Sequence, residues 1–239
     1  MKNRIISLML AIASLVLLLS LTACKEEPNN EWKNDMYLFL VNKTHPVDKT
    51  YIPEDLVVLD KKYTRGEKYI ELDAKTAEAV ILMLDAMKAE GIKGVTVTSG
   101  YRTYEYQEDL FKKYCNSEKA DHPAWSDAEV KDKVLTYSAE PGKSEHQTGL
   151  CVDLMTSEML ELENYGYQGK YDDKGFAETD AFVWLQNNAH KYGFILRFPE
   201  DKTEITGYSY ESWHYRYVGV EHATKIYEQK ICLEEYLAD

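Results

Sequence analysis

The chain has 239 residues, 44% of them hydrophobic and 29% charged, with 12 Gly and 6 Pro, which excludes collagen-like, low-complexity and wholly disordered classes and fits one main globular domain. Asp and Glu number 41 against 28 Lys and Arg, a formal charge of -13, and no basic stripe is present to neutralise a phosphate backbone, so no nucleic-acid partner is expected. The 4 Trp, 19 Tyr and 6 Phe supply large side chains for a core, and the tyrosine excess also suits a groove for a polar polymer.

Residues 1–23 stand apart. Lys2 and Arg4 precede the apolar run Ile5 to Leu21, and Leu21-Thr22-Ala23-Cys24 follows. A basic end, an apolar stretch and small residues before a cut are the parts of a secretory signal peptide. The last four residues resemble a bacterial lipobox. That resemblance implies acylation of the Cys24 thiol, a mature chain starting at Cys24, and an extracytoplasmic protein lipid-anchored to the cell membrane. An uncleaved span is the alternative, because Ile5 to Ala23 is long enough to cross ~30 Å of hydrocarbon. Cleavage removes Lys2 and Arg4 and no acid, taking the formal charge from -13 to -15. Residues 24–35 are polar and aperiodic and read as a flexible tether, which leaves 36–239 as the folded domain.

Within that domain, apolar residues at Ala77, Val80, Ile81, Leu84 and Met87 predict a helix over Leu72 to Glu90, capped by Asp73 and ended by Gly91. Val95 to Thr98 alternates as a strand, and Ser99-Gly100-Tyr101-Arg102 turns into a second helix carrying Tyr106, Leu110 and Phe111. Ser126 and Glu129 form a capping box for a third helix to about Tyr137, broken by Glu140-Pro141-Gly142-Lys143. Gly149 to Met155 reads as a strand followed by a surface excursion through Gly175, then a helix from Thr179 to Tyr192 closed at Gly193. Phe194 to Phe198 and His214 to Val218 are strand-like, and Val220 to Leu237 reads as one terminal helix. Helices before and after short, separated strands predict an α+β fold with a small, largely antiparallel sheet flanked by helices.

Beyond the leader, Cys115, Cys151 and Cys232 form no CxxC pair and no zinc-finger spacing. One bridge, Cys115 to Cys232, and free buried thiols both remain open. Cys151 lies in an apolar strand with no lysine or helix start beside it, and reads as a buried spectator.

Two histidines sit in unusual company. His146 stands at a loop-to-strand junction, and Asp153 follows seven residues later among Leu150, Val152 and Leu154, where a carboxylate requires a partner such as a metal. Glu211 precedes His214 by three residues at the entrance to another strand. Two imidazoles and one carboxylate leave the fourth position of a tetrahedral zinc ion open, the arrangement of catalytic sites. Zinc lowers the pKa of its water toward ~7, and an unliganded carboxylate, for which Glu211 is the candidate, then acts as general base toward an amide carbon. On a regular strand residues 211 and 214 face opposite sides, so this reading requires a bend before His214. From the residues alone, a hydrogen-bonded core histidine and a turn-capping aspartate remain alternatives. No Ser-x-x-Lys or His-Glu-x-x-His occurs, which excludes those serine and zinc-helix chemistries.

The segments Ser99-Gly100-Tyr101-Arg102 with Gln107, Pro141 to Gly149 (PGKSEHQTG) with Val152-Asp153-Leu154, and Glu211 to Tyr217 (ESWHYRY) resemble the VanY-like D-alanyl-D-alanine carboxypeptidases. Their peptidase family also includes LD-carboxypeptidases of cell-wall trimming. The resemblance runs from about Met36 to the end of the chain. It implies one zinc ion held by His146, Asp153 and His214 at the sheet, Glu211 as general base and acid, and Arg102 polarising the scissile carbonyl. It further implies Gln107 and Ser144 on the terminal carboxylate of a peptidoglycan stem peptide ending in D-Ala. Tyr101, Trp213, Tyr208 and Arg197 either shape the pocket or pack. The expected function is a zinc D-Ala-D-Ala carboxypeptidase. LD-carboxypeptidase action on tetrapeptides, D,D-dipeptidase action, and a non-catalytic peptide-binding lipoprotein are the alternatives.

Overall fold

Cap chemistry and apolar spacing set the elements. The computed structural model describes residues 35–157 and 175–238. The leader, Cys24, the tether to Asn34 and most of the excursion before Gly175 lie outside the described residues. Residues from Met36 onward cluster as one unit.

Strands β1 (Leu56–Val58) and β2 (Glu71–Asp73) pair antiparallel as a two-stranded sheet absent from the sequence reading, because three residues each are too few to show alternation. Helix α1 (Ala74–Ala89) begins where Asp73 accepts the N–H groups of Lys75 and Thr76, and Val80, Met83, Leu84 and Met87 bury its apolar stripe. Strand β3 (Val95–Ser99) leads to α2 (Tyr104–Asp121), capped by Thr103. Helix α3 (Asp127–Val134) carries the predicted capping box but stops short of Tyr137. After it come β4 (Cys151–Thr156), α4 (Asp180–Asn188) and β5 (Phe194–Leu196), then the short α5 (Thr203–Thr206) and β6 (His214–Tyr217).

The predicted terminal helix is two helices, α6 (Val220–Gln229) and α7 (Leu233–Ala238). Lys230 takes a left-handed conformation, φ 56°, and its N–H closes back on Ile226 and Tyr227. Apolar periodicity runs across that break and hides it.

The main sheet has the order β3-β4-β6-β5 with every pair antiparallel, so the α+β expectation holds. Val97, Val152, Leu154 and Tyr215 pack from the sheet against Val80 and Met83 of α1 and Phe182 and Leu185 of α4. Because side chains alternate, β4 sends Val152 and Leu154 into this core and turns Cys151 and Asp153 to the other face. Register sets Asp153 opposite His214 and Cys151 opposite Arg216, and an irregularity between Val97 and Ser99 brings Ser99 opposite Asp153. Cys115, Cys151 and Cys232 are free, so the bridge considered from sequence does not form.

Candidate metal centre and active site

All seven domain residues nominated from sequence line one cleft: Arg102, Gln107, Ser144, His146, Asp153, Glu211 and His214. His146 rides on a 3-10 turn, Glu145–Thr148, ended by Gly149 at φ 71°. That glycine is required, since a Cβ there would meet the backbone nitrogen of Asp73 at 3.0 Å in a left-handed conformation. The bend required before His214 is present: the N–H of His214 donates to the carbonyl of Glu211 across a turn at Ser212 and Trp213. This brings Glu211 Oε2 to 3.7 Å from His214 Nδ1.

The ring nitrogens are oriented by their partners. His146 Nδ1 donates to the carbonyl of Gly100 at 2.7 Å, leaving Nε2 to face Asp153 Oδ2 at 3.4 Å. His214 Nε2 donates to Glu145 Oε2 at 3.0 Å, leaving Nδ1 against Asp153 Oδ1 at 3.0 Å. The rings lie with centroids 5.0 Å apart and nearly perpendicular. Anchoring one nitrogen of each imidazole to an oxygen is how proteins aim the other at a metal. Glu145 is itself locked by Arg197 Nε at 2.9 Å and Arg216 Nη1 at 3.0 Å, both guanidinium groups being fully buried.

Arg102 donates to Asp153 Oδ2 at 2.9 Å, to Ser99 Oγ at 3.0 Å and, at 3.4 Å, to Gln107 Oε1. Gln107 gives its amide nitrogen to the carbonyl of Ala139 at 2.8 Å. Ser144 precedes the 3-10 turn without capping it by its side chain. Tyr208 and Trp213 line the cleft. Arg197 serves instead as a buried ion-pair partner of Glu145 and Glu234.

Burial pushes the Glu211 carboxyl up to about 7, against the opposing pull of His214. Burial disfavours charge on His146 as well, yet Cys151 and Asp153 outweigh it and hold the imidazole up at about 9. Asp153, despite burial, is held well below the usual carboxylate range by the two imidazoles. Asp153 and the two imidazoles converge, with the Glu211 carboxyl and the Arg102 cation beside them and the Cys151 thiol close to both rings, and this donor set fits a divalent ion such as zinc.

A family model described as VanY, D-alanyl-D-alanine carboxypeptidase, matches residues 69–220. A D-alanyl-D-alanine carboxypeptidase of Enterococcus faecalis is 38% identical over 216 residues, covering 90% of this chain and 69% of that protein. The chain belongs to the VanY D-alanyl-D-alanine carboxypeptidase family. Among solved structures, a vancomycin-resistance D,D-pentapeptidase VanY variant in complex with Zn(II) matches with a TM-score of 0.66 at 37% identity, covering 84% of this chain and 99% of that one. The LdcB LD-carboxypeptidase matches with a TM-score of 0.67 at 36% identity over 83% of this chain and 84% of that one.

Two residues of this VanY-family site escaped the sequence reading. Glu145 carries no role in the sequence pattern, yet it fixes His214. Cys151 read as a spectator, and it is buried, but it faces the imidazoles rather than the core: one ligand atom each from His146, Cys151 and His214 lies within 4.8 Å of the others. Its spacing of two from Asp153 on a strand was the available signal.

Proposed function

We propose that this chain is a zinc-dependent carboxypeptidase that removes the terminal D-alanine from peptidoglycan stem peptides. The observation that carries the reading is the convergence of His146, Asp153 and His214, from two distant stretches, in a cleft that also holds Glu211 and Arg102. His146, Asp153 and His214 would hold the ion. Zinc, when bound, supplies Lewis acidity toward water and a carbonyl oxygen.

The chain's own groups do the rest. Glu211, with a carboxyl poised near neutrality by burial, takes a proton from the attacking water and returns it to the leaving D-alanine nitrogen. Arg102, held by Ser99, Asp153 and Gln107, directs its guanidinium at the carbonyl oxygen where negative charge develops. Ser144 and Gln107, at the cleft wall, orient the terminal carboxylate. The complete set, base included, speaks for turnover rather than simple peptide binding.

Mass spectrometry of muropeptides incubated with the purified protein tests this reading. Loss of one alanine from pentapeptide, abolished by a chelator and restored by zinc, is the expected result. Loss from tetrapeptide alone would replace it with the LD reading, which the similarity to LdcB supports. No loss from either substrate would refute both. The same proposal places the enzyme outside the cell on a lipid anchor at Cys24, supported by the leader and the lipobox-like Leu21 to Cys24. Cys24→Ser is expected to abolish incorporation of labelled fatty acid, and unchanged labelling would remove the anchor from the account.

A further inference from the structure

The proposed reaction makes no use of Cys151, although β4 turns it to the same face as Asp153. Register sets it opposite Arg216, two pairs along from Asp153 and His214. The side chains of His146, Cys151 and His214 are buried, with residue exposures of 4%, 0% and 3%, and they bring a ligand atom each to within 4.8 Å of one another. A separate observation points these groups at a ligand: Gly100 occupies Nδ1 of His146 and Glu145 occupies Nε2 of His214, so each ring is anchored at one nitrogen and offers the other. Asp153, by contrast, shares its Oδ2 with Arg102 at 2.9 Å. That cation competes with a metal for the carboxylate, while the sulfur is fully buried beside both imidazoles.

Resting on the zinc reading above, we infer that Cys151 is a direct ligand of the metal, its thiolate joining the two imidazoles and Asp153. On binding, the S–H bond breaks, a sulfur–metal bond forms and the proton leaves to solvent, with no change of oxidation state. A mixed nitrogen, oxygen and sulfur set favours thiophilic ions such as zinc and cadmium over magnesium or manganese. With Cys151 in the position otherwise open to water, the water of the proposed reaction would enter as a fifth partner, an expansion that some catalytic zinc sites make.

Cobalt(II) substitution of the full chain reads this directly. Wild type is expected to show visible d–d bands together with a near-ultraviolet sulfur-to-cobalt charge-transfer band. Cys151→Ser keeps the visible bands and loses the near-ultraviolet one, whereas Cys232→Ser keeps both. Visible bands without the sulfur band in wild type, or a sulfur band that survives in Cys151→Ser, would overturn the assignment while leaving the metal reading intact. Failure to take up cobalt or zinc at all would overturn both. Zinc-edge X-ray absorption of the wild type, which depends on no variant, is expected to find one sulfur at ~2.3 Å, and a shell of nitrogen and oxygen alone would reject the proposal.

Discussion

Glu211 shows how burial tunes an ordinary carboxyl toward neutral pH, as the proposed role of general base requires. Its side chain is withdrawn from water beside Asp153, and burial outweighs the nearby imidazole and guanidinium charges. Glu211→Gln keeps the shape and the metal ligands, so zinc content by elemental analysis is expected to stay unchanged while kcat falls by ~10²-fold or more. A variant with full turnover would remove Glu211 from its role. The same shift has a sign in stability. With a folded value of about 7 above the ordinary 4.5, the folded state holds the proton more tightly than the unfolded chain. The associated stability is therefore fully present below pH 4.5 and lost as pH rises through about 7. In chelator-treated protein, Glu211→Gln is expected to gain up to ~3 kcal/mol over wild type at pH 8 and little at pH 4, read by urea unfolding. An equal gain at both pH values would mean that burial of charge is not the cause.

Elements position these residues through backbone as much as through side chains. The carbonyl that orients His146 belongs to Gly100, at the exit of β3, where a Cβ would stand 2.6 Å from the carbonyl oxygen of Glu71 in β2. Gly100→Ala is therefore expected to cost about 1–3 kcal/mol by forcing β2 and β3 apart, and to weaken zinc binding with it. Calorimetry would read the first and competition with a chromophoric chelator the second; unchanged values for both would show that this close approach yields freely. The turn carrying Glu145 has the complementary role. Its carboxylate holds His214 in register while two buried arginines hold the carboxylate. Glu145→Gln is expected to reduce zinc affinity by ~10–100-fold, the range found when an outer partner of a metal-bound histidine is lost.

At the scale of the whole molecule, the arginines tie the site to the termini of the domain. Arg216 donates to the carbonyls of Tyr37 and Phe39, and Arg197 pairs bidentately with Glu234 of α7. The proposed ligands come from the turn after α3, from β4 and from β6, which no single local unit contains. Metal binding thus requires the assembled domain, and zinc is expected to raise the unfolding temperature, adding ~4 kcal/mol when free metal exceeds its Kd a thousandfold. A melting temperature indifferent to chelation would argue that the ion is not bound at this convergence.

Much of this was legible in the letters. Asp73, Ser126 and Thr179 announced helix starts because capping is a local hydrogen bond, and Asp153 among apolar neighbours announced a buried charge because such a group requires a partner. The requirement for a bend between Glu211 and His214 was itself a consequence of strand alternation. By contrast, β1, β2 and the break at Lys230 were hidden: three-residue strands carry no period, and a left-handed lysine leaves the hydrophobic pattern undisturbed. Residue types and spacing by themselves determined the fold class and the candidate donors. Only the tertiary structure decided that Glu145 anchors His214 and that Cys151 looks at the imidazoles, because pairing β4 with β6 joins residues some sixty positions apart, and no local signal encodes such a register.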